Sequence, residues 1–268
     1  MSEQTHKIRV SFICTIPSAV VTQALAQAGA DAVIIDQEHG AIGPENLHAM
    51  IASTAGTNCR PVVRVGRRDE AMVKLALDMG AAGIVYPQVN TAQDAAECVA
   101  MTRYPPRGRR GFGPFIGHSR WGVSFQDYLP KLGDTVVCNI LIETKAAIDN
   151  IEAICAVEGI SVLVLAPLDL SVELGCPGQF DNPIFLQAVE RFRASHNRSQ
   201  GAEEHTRCDG AAGPVCHSAR LRDRGAGLRR SDAQERRHSR DRLGKANCNL
   251  KRRGRINHDA NCGHASVR

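Results

Sequence analysis

The sequence predicts an α/β fold in which strands and helices alternate, the rhythm of a (β/α) barrel or a doubly wound sheet, followed by a basic tail without order. Three observations predict it. Short β-branched and aliphatic runs recur at intervals of about 25–30 residues, as expected of βα units. The segments between them carry helical spacing. After Phe192 the composition changes abruptly: no Phe, Tyr, Trp or Met follows, and Arg, His, Ser, Asn and Gly take over.

Residues 135–171 organise the chain. They hold two apolar runs, Val136–Ile142 and Ile160–Ala166, which read as strands buried on both faces. Lys145–Val157 between them places Ala147, Ile151 and Ile154 on one helical side. A β-α-β unit makes its strands parallel neighbours, so Glu143 and Asp169, which follow the two runs, emerge at one sheet edge. Two acids side by side there suit a hard divalent cation, and equally two separate acids in loops.

The other elements follow in order. Ile8–Cys14 is a strand, and Pro17 and Ser18 open a helix that Gly29 closes. Ala32–Asp36 is a strand followed by the polar loop Gln37-Glu38-His39-Gly40. Pro44 is placed as the first residue of a helix to about Thr54. Arg60–Val65 is a third strand. Asp69 caps a helix with Met72, Leu75, Ala76 and Met79 at i, i+3, i+4 and i+7. Gly83–Pro87 is a fourth strand, and Thr91 starts the next helix. Tyr104–Pro114 is a long Pro/Gly/Arg loop, either functional or a solvated insertion. Pro183–Ala194 is a last helix, carrying Ile184, Phe185, Ala188, Val189 and Phe192.

The formal net charge of +5 divides unevenly. From Ser195 onward 17 basic residues face 8 acidic ones, while residues 1–194 hold 16 basic and 20 acidic ones. The basic character therefore belongs to the tail. No apolar run reaches a membrane span, and Met1–Val10 lacks the apolar core of a signal peptide. Among the ten cysteines there is no CxxC pair, and Cys14, Cys138 and Cys155 lie in apolar patterns. Reduced, buried thiols and a cytoplasmic location follow.

At strand ends the chain collects Asp36, His39, Arg64, Glu143 and Asp169. Each alone has a plain reading, a solvated histidine or an ion-paired arginine. Together on one rim they point to a metal-assisted enzyme. Around these residues the chain resembles the HpcH/HpaI aldolases, metal-dependent class II pyruvate aldolases. The motifs that carry the resemblance are Ile35-Asp36-Gln37-Glu38-His39, Pro61-Val62-Val63-Arg64-Val65, Thr102–Gly111, Ile142-Glu143-Thr144 and Ala166-Pro167-Leu168-Asp169-Leu170-Ser171. Gln37, where the family usually has Gly, and Leu141, where Gln is frequent, depart from the pattern.

The resemblance implies a (β/α)8 TIM barrel over residues 1–194, incomplete, with about six βα units present. It implies that Glu143 and Asp169 hold Mg²⁺, Mn²⁺ or Co²⁺ as a Lewis acid for pyruvate enolate formation. Arg64 would bond the keto oxygen, and His39, oriented by Asp36, would act as base. The amides around Ala166, Pro167, Leu168 and Asp169 would bind the pyruvate carboxylate. The implied reaction is retro-aldol cleavage of a 4-hydroxy-2-oxo acid to pyruvate and an aldehyde, as in aromatic-compound catabolism. The implied assembly is a homo-hexamer that exchanges C-terminal helices.

No seventh strand, eighth strand or closing helix is recognisable after Ala194. Residues 195–268 read as a disordered, Arg-rich segment, either the product of a reading-frame change near Ala194–His196 or a genuine disordered tail. Both sheet edges, beside the first and sixth strands, are expected to be open. Competing functions are a CoA-ester lyase of the same superfamily, an inactive truncated remnant, and non-specific nucleic-acid binding by the tail. The tail has no aromatic interleaving and no recognition motif, so neither a specific nucleic acid nor a membrane is an expected partner.

Overall fold

The structure is a computed structural model, and it describes residues 9–200 and 218–220. The expected disorder and frame change after Ala194 fall otherwise outside the described residues.

The chain alternates as its pattern requires. Strand β1 (Ser11–Cys14) leads to helix α1 (Ala19–Gln27), whose N-cap Ser18 accepts the Val21 N–H. Strand β2 (Ala32–Asp36) is followed by α2 (Pro44–Ala52), with Pro44 at its first turn, and β3 (Arg60–Arg64) by α3 (Glu70–Asp78), capped by Asp69. After β4 (Gly83–Tyr86) comes α4 (Ala92–Thr102), where Thr91 and Asp94 form a reciprocal capping box.

The long connection that follows contains, beyond the Tyr104–Pro114 loop, two helices for which the sequence predicts no element, α5 (Gly117–Arg120) and α6 (Phe125–Leu132). Strand β5 (Val137–Ile142) comes next. The single helix expected over Lys145–Val157 is divided at Asn150 into α7 (Lys145–Asp149) and α8 (Ile151–Cys155). Strand β6 (Val162–Leu165), the short helix α9 (Pro167–Glu173) and α10 (Pro183–Gln200) complete this part. Helix α10 runs beyond Ala194, and Phe185, Ala188 and Phe192 form its buried face.

Strands β1 to β6 are parallel, and each pairs with its neighbour in sequence. A doubly wound sheet would reverse that order at a switch point. The monotonic order selects the barrel reading instead, and the six strands form a curled half-barrel. A three-residue strand, β7 (Ser218–Arg220), pairs antiparallel with β6, setting Val162 opposite Arg220. The expectation of an open edge beside β6 is thereby corrected over those residues, whereas β1 ends the sheet on the other side.

The alternation of side chains splits the core in two. Val33, Ile35, Val63, Ile84, Ile140, Ile142, Leu163 and Leu165 pack outward in the main core with the helices. Val62, Val85 and Leu141 form a second cluster with Ala32, Ile34 and Val164, the inner face of the half-barrel. Period-two counting from Ile34, Val62 and Leu141 sends Asp36, Arg64 and Glu143 to that inner face. Cys14, Cys138 and Cys155 are buried, as their apolar settings require. Among the described residues no helix is long and apolar enough to cross a membrane.

The Pro/Gly/Arg loop is fixed from within. Arg103 is buried and donates to the carbonyls of Val136 and Gly159, tying the loop to the start of β5. Arg110 is also buried, donates to Asp78 Oδ1 at 2.9 Å and lies over the Tyr104 ring at 4.6 Å. Arg103, just before the loop, and Arg110 within it are internal ties, whereas Arg107 and Arg109 are exposed and pair with Asp134 and Glu70 at the surface.

Candidate active site

The site begins at one pair of neighbouring strands. Register sets Asp36 directly beside Arg64 at the ends of β2 and β3. Asp36 Oδ1 accepts the Arg64 Nε–H at 2.8 Å, and Oδ2 accepts from Nη2 at 2.5 Å. The same carboxylate accepts the backbone N–H groups of Glu38 and His39 at 3.0 and 3.3 Å. Burial pushes the Asp36 carboxyl up, but the Arg64 hydrogen bond, the Glu38 amide and the Arg64 charge outweigh it, and the net shift is downward. Asp36 therefore stays ionised and holds the Arg64 fork and the polar loop together.

This arrangement differs from the expected Asp36–His39 dyad. Asp36 reaches His39 through its backbone, while the imidazole stands with its side chain 63% exposed and Nε2 at 3.8 Å from Glu38 Oε2. Glu38 is the neighbour the sequence reading passed over. Its Oε2 is buried without a hydrogen bond and lies 3.4 Å from Arg64 Nε. Burial raises the Glu38 carboxyl, and the charges of Asp36 and Asp169 add to the rise against the pull of Arg64 and His39. The only early sign of Glu38 was its place between Asp36 and His39 in the loop motif.

Glu143 follows β5 directly and is 5% exposed. Its Oε1 accepts the Gln88 backbone N–H at 2.5 Å. Gln88 reaches that position with a φ of 57°, the left-handed region that costs a side-chain-bearing residue about 1–2 kcal/mol. Burial raises the Glu143 carboxyl; the Gln88 amide opposes this, and the charges of Glu38 and Asp169 increase it. Next to it, Thr144 caps α7 and donates its hydroxyl to Asn90 Oδ1 at 2.5 Å, fixing the β4–α4 loop against the end of β5.

Asp169 lies in the first turn of α9 rather than at the strand end itself, and it is exposed. Ala166 caps that helix without a side-chain bond, Pro167 takes the first position, and Leu168 is 64% exposed. The first amides of a helix have no partner within it, so those of Leu168 and Asp169 stand available to an acceptor.

At the rim the half-buried Arg64 feels the charges of Asp36, Glu38 and Glu143, while Glu38 feels Asp36 and Asp169, and Glu143 feels Glu38 and Asp169. A group with that excess of negative charge lacks a counter-cation. Among the described residues no three His, Cys, Asp or Glu side chains form a complete metal cage. Two carboxylates with the remaining positions left to water and substrate oxygens fit Mg²⁺-like ions, which favour that arrangement. The donor set is all oxygen, which excludes a site selective for soft metals. A cleft of about 390 Å³ lies beside these acids, between the β3–α3 and β4–α4 loops, and not at them.

Comparison with known proteins identifies the family. The family model for HpcH/HpaI aldolase/citrate lyase matches residues 12–206, past the composition change at Ala194. The chain is 31% identical over 215 residues to a 5-keto-4-deoxy-D-glucarate aldolase of Klebsiella pneumoniae, covering 80% of this chain and 81% of that protein. It is 31% identical over 194 residues to a 2-keto-3-deoxy-L-rhamnonate aldolase of Escherichia coli, covering 70% and 72% of the two. The HpcH/HpaI aldolase structure from Desulfitobacterium hafniense superposes with a TM-score of 0.67 at 28% identity, over 72% of this chain and 75% of that one. By the extent of the family match and by these relatives, the chain belongs to the HpcH/HpaI aldolase/citrate lyase family.

Proposed function

We propose that this chain is a carbon–carbon lyase that cleaves a 4-hydroxy-2-oxo acid to pyruvate and an aldehyde with the help of a divalent cation. The observation that carries the proposal is the cluster of Asp36, Glu38, Glu143 and Asp169 at the C-terminal ends of the strands, with Arg64 bonded to Asp36 and 3.4 Å from Glu38. That is the edge at which α/β barrels keep their chemistry. Glu143 and Asp169 would hold Mg²⁺, Mn²⁺ or Co²⁺. The ion would supply Lewis-acid stabilisation of negative charge at the substrate keto oxygen.

The protein's own groups divide the remaining work. Asp36 engages Nε and Nη2 of Arg64, so the Nη1 end of the fork is left to meet the keto oxygen. Hydrogen bonds preorganised there are worth more as the oxygen gains charge. The free amides at the start of α9 would receive the pyruvate carboxylate. His39 would take the proton of the C4 hydroxyl as the C3–C4 bond breaks. The bond electrons pass to C3 as the enolate, the aldehyde leaves, and protonation at C3 completes pyruvate. Glu38, with Oε2 at 3.8 Å from the imidazole Nε2, would hold it in place.

The experiment is a coupled pyruvate-release assay on the full chain with a 4-hydroxy-2-oxo acid. Release with added Mn²⁺ or Mg²⁺ and its loss with chelator are the expected results. Release that persists undiminished in chelator would overturn the proposal, as would absence of release in every metal. The proposed place of action is the cytoplasm, with a hexamer as the proposed assembly.

A further inference from the structure

A second cleft, of about 150 Å³, opens between α2, α3 and α5, with Arg120 and His48 on its wall. The rest of its lining is mostly apolar, including Ala52, Met79 and Ile116. Ala52 ends α2 and Met79 caps the end of α3. Helices of a βα fold run back against the strands, so these helix ends lie at the opposite end of the sheet from the acid rim. The cleft is therefore separate from the proposed active site.

Arg120 is held from three sides. Its stem crosses Gly80 so closely that an added Cβ there would stand 2.9 Å from Cγ. Nη2 donates to Thr54 Oγ1 at 2.7 Å and to Thr54 O at 3.4 Å. The guanidinium lies over the Trp121 ring, 4.4 Å from its centre. These contacts engage one nitrogen of three. Nε is buried without a hydrogen bond, and Nη1 has no bonded partner among the described residues. Buried Arg110 has the carboxylate of Asp78. Arg120 has no such anion: the titratable group whose charge acts on it is the Cys59 thiol, which burial keeps protonated. A half-buried cation is thus fixed in a cleft without a counter-charge among the described residues, a setting that folded chains rarely leave unfilled.

We infer that this cleft binds a short-chain monocarboxylate, with its carboxylate on Arg120 and its apolar body on Ala52, Met79 and Ile116. A guanidinium whose stem and ring face are already fixed loses little freedom in taking up a carboxylate. His48 adds a second donor, because a neutral imidazole carries one N–H in either tautomer. The Ser119 hydroxyl donates to Ile116 O at 2.8 Å, so its proton is spent. Two donors suit a monoanion better than a phosphate dianion with its greater number of acceptor oxygens. Ile116 is 49% exposed, which supplies apolar surface for a hydrocarbon chain beside the cation. The volume falls below the about 300–1,000 Å³ of sites for drug-sized ligands, so the ligand is small. This inference stands apart from the aldolase reading.

The test is a titration of butyrate into the metal-free full chain, followed by NMR at the indole N–H of Trp121, the only tryptophan in the sequence. A saturable shift is expected. Arg120→Gln should weaken binding about tenfold, the loss of one charge-assisted pair, with Arg120→Lys in between. Ala52→Leu, at an exposed position at the end of α2, fills the cleft without touching the arginine and should weaken butyrate by a similar factor. Phosphate and butanol, which each lack one half of the proposed recognition, should bind at least about tenfold more weakly than butyrate. Circular dichroism checks the fold of each variant, and if Arg120→Gln does not fold, Ala52→Leu and the ligand series decide. Absence of a saturable shift in the wild type would overturn the inference. So would equal butyrate affinity in wild type and folded Ala52→Leu, or phosphate binding as tightly as butyrate.

Discussion

Gln88, at a φ of 57°, donates its backbone N–H to Glu143 Oε1 at 2.5 Å. The left-handed turn after β4 is what aims that amide at the proposed metal ligand. Gly at this position removes the steric cost but loosens the unfolded chain, so Gln88→Gly should be close to neutral in stability. Gln88→Val places a β-branched residue where φ is positive and should destabilise by about 1–2 kcal/mol. Urea denaturation of both variants checks the pair, and equal stability of Val and Gly at this position would contradict the assignment.

Asp36 and Arg64 form an ion pair whose side chains are 0% and 14% exposed. Asp36→Ala leaves the half-buried guanidinium without its main partner, a loss of about 3 kcal/mol near neutral pH. The sign of the pH dependence follows from the lowered Asp36 carboxyl. Its contribution is present above the ordinary value of 3.8 and is lost as pH falls through the lower folded value. The stability difference between wild type and Asp36→Ala, measured by denaturation across pH, should therefore shrink in acid. A gap that widens below pH 4 would count against the pairing.

Arg64→Lys keeps the charge but loses the two-point fork. If Nη1 meets the keto oxygen, turnover should drop about 10²–10³-fold, the scale of one lost oxyanion donor. Metal affinity should stay within a few-fold, because arginine is not a ligand. Parallel Mn²⁺ binding and pyruvate-release measurements separate the two effects.

The long loop gives a prediction about stability alone. Asp78 is the carboxylate partner of buried Arg110. Asp78→Ala should cost about 3–5 kcal/mol by leaving that charge unpaired. A thermal transition unchanged from wild type would return the loop to the status of a solvated insertion.

Much of this architecture was legible because local signals agreed. The run Ala32–Asp36 has the bounds of β2, and Ser18, Asp69 and Thr91 cap the helices they precede. The missed helices had the weakest local signals. Helix α5 is one turn long, α6 carries Pro130 inside it, and α9 opens with Pro167 directly after a strand. The break in the expected helix falls at Asn150, whose ψ of 12° ends α7.

In the site, residue types were readable but partners were not. Asp36 and His39 are three apart in sequence, which suggested a dyad. The register of β2 on β3 instead brings Arg64 to Asp36. Strand register is a long-range property, and so is the Gln88–Glu143 contact across 55 residues. No window of the sequence contains either.

The central claim is that Glu143 and Asp169 hold the divalent cation on which turnover depends. The direct measurement is a Mn²⁺ titration of wild type, Glu143→Gln and Asp169→Asn by electron paramagnetic resonance, with circular dichroism to confirm an unchanged fold. The account predicts saturable binding in the wild type and at least about tenfold weaker binding in each variant, as expected for loss of a charged ligand. Wild-type affinity retained in both correctly folded variants would contradict it.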